Sequence, residues 1–226
     1  MTAGVRLDLH VHSRHSPDSR VPVADLVARA AAIGLRGLAL TDHNSVAGHA
    51  ELRALAAAHP TLLLLPGVEV STADGHLLGY GVDAAPPPRR DLESTADWIR
   101  DHGGEPVIAH PFRWRHGAGG RLTAVAHVAG IEGRNAHTSA RANRRAEEWA
   151  ALRLLAATGG SDAHRLEEVG RAATVFPEPV DGVDDLLEAI RAARTTGVGS
   201  SLTLGGRIGW LVSNGAQYLR RGLRPV

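Results

Sequence analysis

The chain has 226 residues, of which 43% are hydrophobic and 22% charged, a composition typical of a folded globular protein. The formal net charge is +1, so the chain offers no strong field for a nucleic-acid backbone or an anionic membrane. The absence of cysteine excludes disulfides and thiolate zinc sites. The chain start shows no signal-peptide pattern, and the longest apolar run, 62–65, cannot cross a bilayer, so we expect a cytoplasmic protein.

Strand-like and helix-like segments alternate along the chain. The hydrophobic periods predict strands at 5–11, 35–40, 62–70, 76–82, 107–109 and 130–135. They predict helices at 23–33, 46–58, 92–101, 122–128, 139–157, 183–193 and 207–223, with a Gly- and Ser-rich linker at 197–206. This alternation favours parallel strands covered by helices, and thus one closed or nearly closed α/β barrel domain over 1–226.

The first predicted strand carries the most informative motif. Side chains alternate faces along a strand, so Asp8, His10 and His12 share one face of it. Two histidines on one face can bind a single cation, and a nearby carboxylate can fix their tautomers.

Four further segments place polar side chains where an apolar run ends. They are Thr41-Asp42-His43, Gly67-Val68-Glu69, Ala109-His110-Pro111 and the run from Gly160 to His164. In α/β barrels the carboxyl ends of the strands meet at one face, where the functional residues gather. Together these segments predict a metal-dependent hydrolase.

The chain resembles the PHP family, named for polymerase and histidinol phosphatase members. The resemblance runs from about residue 5 to 176 and rests on the motifs DLHVHS, SPDS, TDHN, GVEV, AHPF, IEGRNAH and GSDAH, in that order. It implies a distorted seven-stranded β/α barrel, with 177–226 as closing helices. It also implies two or three divalent ions (Mn, Zn or Fe) at the carboxyl ends of the strands.

The resemblance also implies a set of metal ligands. The first ion would take His10, His12, Glu69 and Asp162, and Glu69 would bridge to a second ion held by His110 and His137. Asn135 is an alternative to His137. A third ion would take Asp18, His43 and His164, although an aspartate at position 18, where some members carry histidine, also allows that site to be empty. His76 receives no ligand role, and His49, His59, His102 and His127 are expected to be solvated or to cap helices.

The predicted reaction is hydrolysis of a small phosphomonoester, a nucleotide or sugar phosphate, by a hydroxide bridging the metals. Glu69, Asp162 and His164 are the expected catalytic residues, and Arg14, Arg113 and Arg165 are candidates for binding the anionic substrate. We expect no membrane partner, and nucleic acid only as a nucleotide or short oligonucleotide substrate. Two alternatives stay open: hydrolysis of a carboxylic or carbamate ester at the same centre, and a non-catalytic metal-stabilised module that supports a partner.

Overall fold

The computed structural model describes residues 4–119 and 127–201. Within them the strands are β1 (Val5–Val11), β2 (Gly37–Leu40), β3 (Leu63–Ser71), β4 (His76–Tyr80), β5 (Glu105–Ile108), β6 (Gly130–Asn135), β7 (Ala156–Gly160), β8 (Ala172–Phe176) and β9 (Thr196–Gly199). The helices are α1 (Val23–Ala32), α2 (His49–Ala58), α3 (Leu92–Asp101), α4 (Ala140–Arg153) and α5 (Val183–Arg191), with a 3-10 turn at Leu166–Glu168.

The described strands form one mixed sheet in the order β7-β6-β5-β4-β3-β2-β1-β8-β9. The predicted α/β barrel is confirmed, with nine strands instead of seven. Not all neighbours are parallel: β4 runs antiparallel to β3 and β5, and β8 runs antiparallel to β1 and β9. The four residues between β3 and β4 are too few for a parallel crossover, so β4 returns as a hairpin.

The sheet curls until the end of β7 meets the end of β1. The backbone N–H of Asp162 donates to the His10 carbonyl at 2.7 Å, and the N–H of His12 donates to the Ala163 carbonyl at 2.9 Å. A Cβ on Gly160 would lie only 2.2 Å from the Cβ of His10, so glycine is required for this approach. The closure therefore brings the first and last motifs of the chain side by side.

Apolar side chains fill the barrel and close its other end. Leu9, Leu65 and Tyr80 are fully buried in the same cluster as Leu186 and Ile190 of α5. This cluster also includes the first residues of β3 and β7, so α5 covers the amino-terminal ends of those strands. The carboxyl ends of the strands, where the polar motifs lie, are left for the site.

Several boundaries differ from the sequence-based expectation. The predicted helix 139–157 ends at Arg153 because Leu154 adopts a left-handed conformation, φ 56°, and β7 begins at Ala156. Strands β7, β8 and β9 were not predicted, and β9 occupies the start of the expected linker. The predicted helices 122–128 and 207–223 fall wholly or mostly outside the described residues. In the described part of the chain, no helix is both long and apolar enough to span a membrane.

Candidate metal centre

Four buried donor atoms converge at the carboxyl ends of β1, β3 and β7. We call His10, His12, Glu69 and Asp162 the first group. The two Nε2 atoms lie 3.2 Å apart, and they lie 3.2 and 3.3 Å from Glu69 Oε2. Asp162 Oδ1 is 3.2 Å from His12 Nε2 and 3.6 Å from His10 Nε2. A tetrahedral ion with bonds of about 2.1 Å would separate its ligand atoms by about 3.4 Å, so the spacing fits a cation.

The protonation pattern of the first group also fits a cation. His10 Nδ1 donates to Glu132 Oε1 at 2.9 Å, which leaves the lone pair of Nε2 directed at the group. Glu69 Oε2 is buried and has no hydrogen-bond partner among the described residues. Burial alone would lower the pKa of His12, but the contacts with Asp162 and Glu69 raise it to about 10. The group therefore holds positive charge strongly, and protons and metal ions compete for the same lone pairs.

A further group lies beside the first and comprises Asp18, His43 and His164, which we call the third group. Asp18 Oδ2 is 3.3 Å from His43 Nε2 and 3.1 Å from His164 Nε2. His164 Nδ1 donates to the carbonyl of Asp162 at 2.8 Å, so its Nε2 lone pair also faces inward. Both imidazoles lie against the ring of His12, with centroids 4.6 and 4.3 Å away. The three predicted residues are thus brought together.

Around the other oxygen of Glu69, the structure differs from the expected ligand set. Glu69 Oε1 is 3.0 Å from His110 Nε2, as expected of neighbouring ligands, and 2.7 Å from Nδ1 of His76. We call Glu69, His76 and His110 the second group. Within the described residues His137 does not reach this group; its Nε2 is 3.6 Å from Glu168 Oε2. The expected pairing of His137 with His110 is therefore replaced by a pairing with His76.

Strand register explains why His76 belongs to this site. In the β3–β4 hairpin Glu69 lies opposite Leu78, and Ser71 lies opposite His76. His76 and Leu78 share a face of β4, so His76 is a diagonal neighbour of Glu69 on that face. The short hairpin and the alternation of side chains along β4 were the sequence signals for the position of His76. They place His76 beside Glu69 only when the register of β3 and β4 is known.

A bulge in β6 explains the position of His137. The pairing of β6 with β7 shifts register between Glu132 and Arg134, which changes the face on which the following side chains lie. Asn135 then points into the site, where its Nδ2 donates to Glu132 Oε2 at 3.0 Å and lies 3.3 Å from Asp162 Oδ2. The chain turns after Asn135, and His137 lies beside Glu168.

The three candidate substrate-binding arginines occupy different environments. Arg113 is in the site: its Nη1 is 2.6 Å from Asp162 Oδ2 and its Nη2 is 2.8 Å from His110 Nε2. Arg14 is half exposed and pairs with Glu51 at 2.9 Å. Arg165 is exposed, and its backbone N–H donates to the carboxylate of Glu168. Arg113 therefore contacts Asp162 of the first group and His110 beside Glu69.

Of the histidines expected to be solvated or to cap helices, His49 differs. It is 3% exposed, and its Nε2 donates to the carbonyl of Gly67 at 2.8 Å. His127 is exposed and pairs with Asp97. His49 therefore ties the start of α2 to β3, near the strand that carries Glu69, and has a structural role.

Comparison with known protein families agrees with this fold. The model of the PHP domain matches residues 8–158, and a model described as PHP-associated matches residues 140–195. Because the first of these covers more than half of the chain, the chain belongs to the PHP family. Among the described residues, three sets of side chains are spaced so that they could hold a metal ion: the first group, the third group together with His12, and Glu69 and His76 together with His43.

Among individual proteins, the chain is 45% identical over 85 residues to a 3',5'-nucleoside bisphosphate phosphatase from Chromobacterium violaceum, covering 36% of this chain and 29% of the phosphatase. A two-domain protein from Bacteroides vulgatus, described as containing a predicted PHP-like metal-dependent phosphoesterase, shares the fold with a TM-score of 0.74 and 22% identity. That match covers 87% of this chain and 65% of the other. An amidohydrolase from Chromobacterium violaceum, solved with bound sulfate and no metal, is 25% identical with a TM-score of 0.65, covering 84% of this chain and 96% of that one. The chain thus spans less than two thirds of the phosphatase and of the two-domain protein.

Proposed function

We propose that the protein is a metal-dependent phosphoesterase that hydrolyses a small phosphomonoester, such as a nucleotide or sugar phosphate. The observation that carries this proposal is the first group, in which the two buried histidine Nε2 atoms lie 3.2–3.6 Å from each other and from the oxygens of Glu69 and Asp162. Two buried carboxylates this close together are costly without positive charge between them, and Glu69 Oε2 has no hydrogen-bond partner among the described residues. It is the arrangement expected of residues that surround a cation.

Two or three divalent ions (Mn, Zn or Fe) would be held by residues that meet at Glu69. The first group would hold one ion, and the second group would hold another through the other oxygen of the same carboxylate. In this proposal His76 takes the role that the sequence had suggested for His137. The third group would hold a third ion beside His12. Imidazole and carboxylate ligands together suit this range of metals.

Divalent ions at such a centre lower the pKa of a bound water and offset the charge of a phosphoryl group. The protein's own contribution is to fix and orient these donors. Glu69 links the first and second groups, and Asp162 divides its oxygens between the histidines of β1 and Arg113. Among the described residues, the guanidinium of Arg113, whose side chain is 13% exposed, is the cation best placed to bind a phosphoryl oxygen. His164, at 22% exposure, is placed to position a water or the leaving group from the third group.

Two related proteins support an anionic substrate. The C. violaceum phosphatase is named for a nucleoside bisphosphate, and the match to it is the highest in identity among the relatives described above. The C. violaceum amidohydrolase holds sulfate, an anion with the tetrahedral shape of phosphate. These properties belong to those proteins, and they favour nucleotides, including nucleoside bisphosphates, as the first substrates to test here.

The test is phosphate release from a panel of phosphomonoesters by metal-stripped protein reconstituted with Mn²⁺ or Zn²⁺. The panel contains nucleotides, nucleoside bisphosphates and sugar phosphates. We expect metal-dependent turnover that is lost in Glu69→Gln and kept in Glu188→Gln, a control at an exposed residue of α5. Full activity in Glu69→Gln would refute the proposed site.

The two alternatives give different results in the same experiment. Turnover of carboxylic or carbamate esters without phosphate release would move the assignment to an ester hydrolase. Retention of ions without turnover of any substrate would favour the non-catalytic module.

A further inference from the structure

The guanidinium of Arg113 lies between two residues of the proposed centre. Nη1 is 2.6 Å from Asp162 Oδ2, and Nη2 is 2.8 Å from Nε2 of His110. A guanidinium only donates, so His110 Nε2 must accept this bond with its lone pair. Glu69 Oε1, 3.0 Å away, has no proton to offer to the same atom when ionised. Arg113 thus supplies the positive charge that His110 and Asp162 share in this structure.

The contacts of Arg113 affect the metal groups unequally. Asp162 uses Oδ1 toward His12 and Oδ2 toward Arg113, so the first group keeps all four of its donor atoms while Arg113 is in place. His110 offers the same Nε2 lone pair to Arg113 that a cation beside Glu69 Oε1 would need. Arg113 is therefore compatible with an ion in the first group and incompatible with one bound to His110.

We infer that Arg113 is a built-in competitor for the second metal position. In the absence of that ion the guanidinium occupies His110 and Asp162. When an ion binds at Glu69, His76 and His110, it displaces the guanidinium, which becomes available to an anionic substrate. This inference rests on the proposed function, and it makes the second group the weakest of the metal positions in the wild-type protein.

The local backbone allows this exchange without rearrangement of the barrel. Arg113 follows β5 in a tight turn, in which its own N–H donates to the carbonyl of His110 at 3.0 Å. The turn is compact, because a Cβ on Gly117 would lie 2.5 Å from the Arg113 carbonyl. Rotation of the long side chain alone moves the guanidinium away from His110. The exchange therefore requires movement of the Arg113 side chain and no movement of the backbone.

The experiment measures the affinity of each class of metal position by chelator-competition titration with Mn²⁺. The variant Arg113→Met keeps an unbranched apolar stem and removes the guanidinium with its charge. We expect the weakest class in the wild type to tighten by about tenfold or more in the variant, since a charge-assisted contact no longer has to be broken. The tighter classes should change less than the weakest class, because the first group has all four of its donor atoms in both proteins.

The matched control is Arg115→Met, which removes the same charge from an exposed residue of the same loop. An unchanged weakest class in Arg113→Met, or an equal tightening in Arg115→Met, would overturn the inference. Arg113→Gln provides a second uncharged variant, and circular dichroism shows whether each is folded. A wild-type protein that binds no Mn²⁺ at all would instead refute the proposed function, so the two failures are distinguishable.

Discussion

Replacement of Glu132 by glutamine should weaken metal binding at the first group, although Glu132 belongs to no metal-ligand group. Glu132 Oε2 accepts from the N–H of His110 at 2.8 Å and from Asn135 Nδ2 at 3.0 Å, while Oε1 accepts from His10 Nδ1 at 2.9 Å. In Glu132→Gln the single amide oxygen stays with the two fixed donors. The amide NH₂ then faces His10 and requires its Nδ1 to accept. The ring proton moves to Nε2, which is the atom that belongs to the first group.

The size of the effect follows from this one contact. Keeping the metal-binding tautomer of His10 would place two N–H groups face to face and lose a charge-assisted hydrogen bond worth about 1.5–3 kcal/mol. Since about 1.4 kcal/mol corresponds to tenfold in affinity, we expect first-group binding to weaken by roughly 10- to 150-fold. Loss of outer partners of metal-bound histidines typically has effects of this order.

The assay is Mn²⁺ or Zn²⁺ titration against a competing chelator, with thermal unfolding of the metal-free protein recorded in parallel. Glu148→Gln, an exposed substitution of the same type on α4, is the control and should bind as the wild type does. If folded Glu132→Gln binds its tightest ion within twofold of the wild type, the role given to Glu132 is wrong.

Three further predictions concern stability. Tyr80→Phe removes a buried hydroxyl that donates to the Leu9 carbonyl at 2.9 Å, and it should cost about 1–3 kcal/mol in urea unfolding; no change would show that the bond is not needed. Gly160→Ala places a Cβ 2.2 Å from that of His10, so Tm should fall and first-group metal should be lost; unchanged metal content would contradict this. Burial alone would raise the pKa of Glu168, but nearby histidines and backbone N–H groups lower it to about 2. The ionised carboxylate therefore stabilises the metal-free fold above about pH 4.5, a contribution lost as pH falls toward 2. The free energy of unfolding should fall less steeply over this range in Glu168→Gln, and identical profiles would refute the assignment.

The fold class could be predicted because the hydrophobic pattern alternates between strand and helix periods along the chain, as a β/α barrel requires. The bounds of β1, α3 and β6 coincide with the predicted segments, since each has a clear hydrophobic pattern and a clear end. The two strands after residue 160 were missed for a physical reason. The short β9 contains two glycines and pairs only with β8, so its strand conformation depends on a neighbour that the local sequence does not reveal.

In the candidate site, motif residues at strand ends could be predicted, and residues whose position depends on pairing register could not. His10, His12, Glu69 and Asp162 lie at predicted strand ends, the resemblance implied them as one ligand set, and the structure brings them together. The position of His76 depends on the hairpin register. Glu132 is a further functional candidate that the sequence reasoning left without a role. Its carboxylate reaches His10 because the closure of the sheet leaves only β7 between β6 and β1.

The most direct test of the account is to count divalent ions and measure phosphate release on the same samples of wild-type and Glu69→Gln protein. The account predicts at least two ions per wild-type chain, activity that rises as they bind, and loss of both metal and activity in the variant. Phosphate release by metal-stripped wild-type protein, or unchanged metal content and activity in Glu69→Gln, would contradict it.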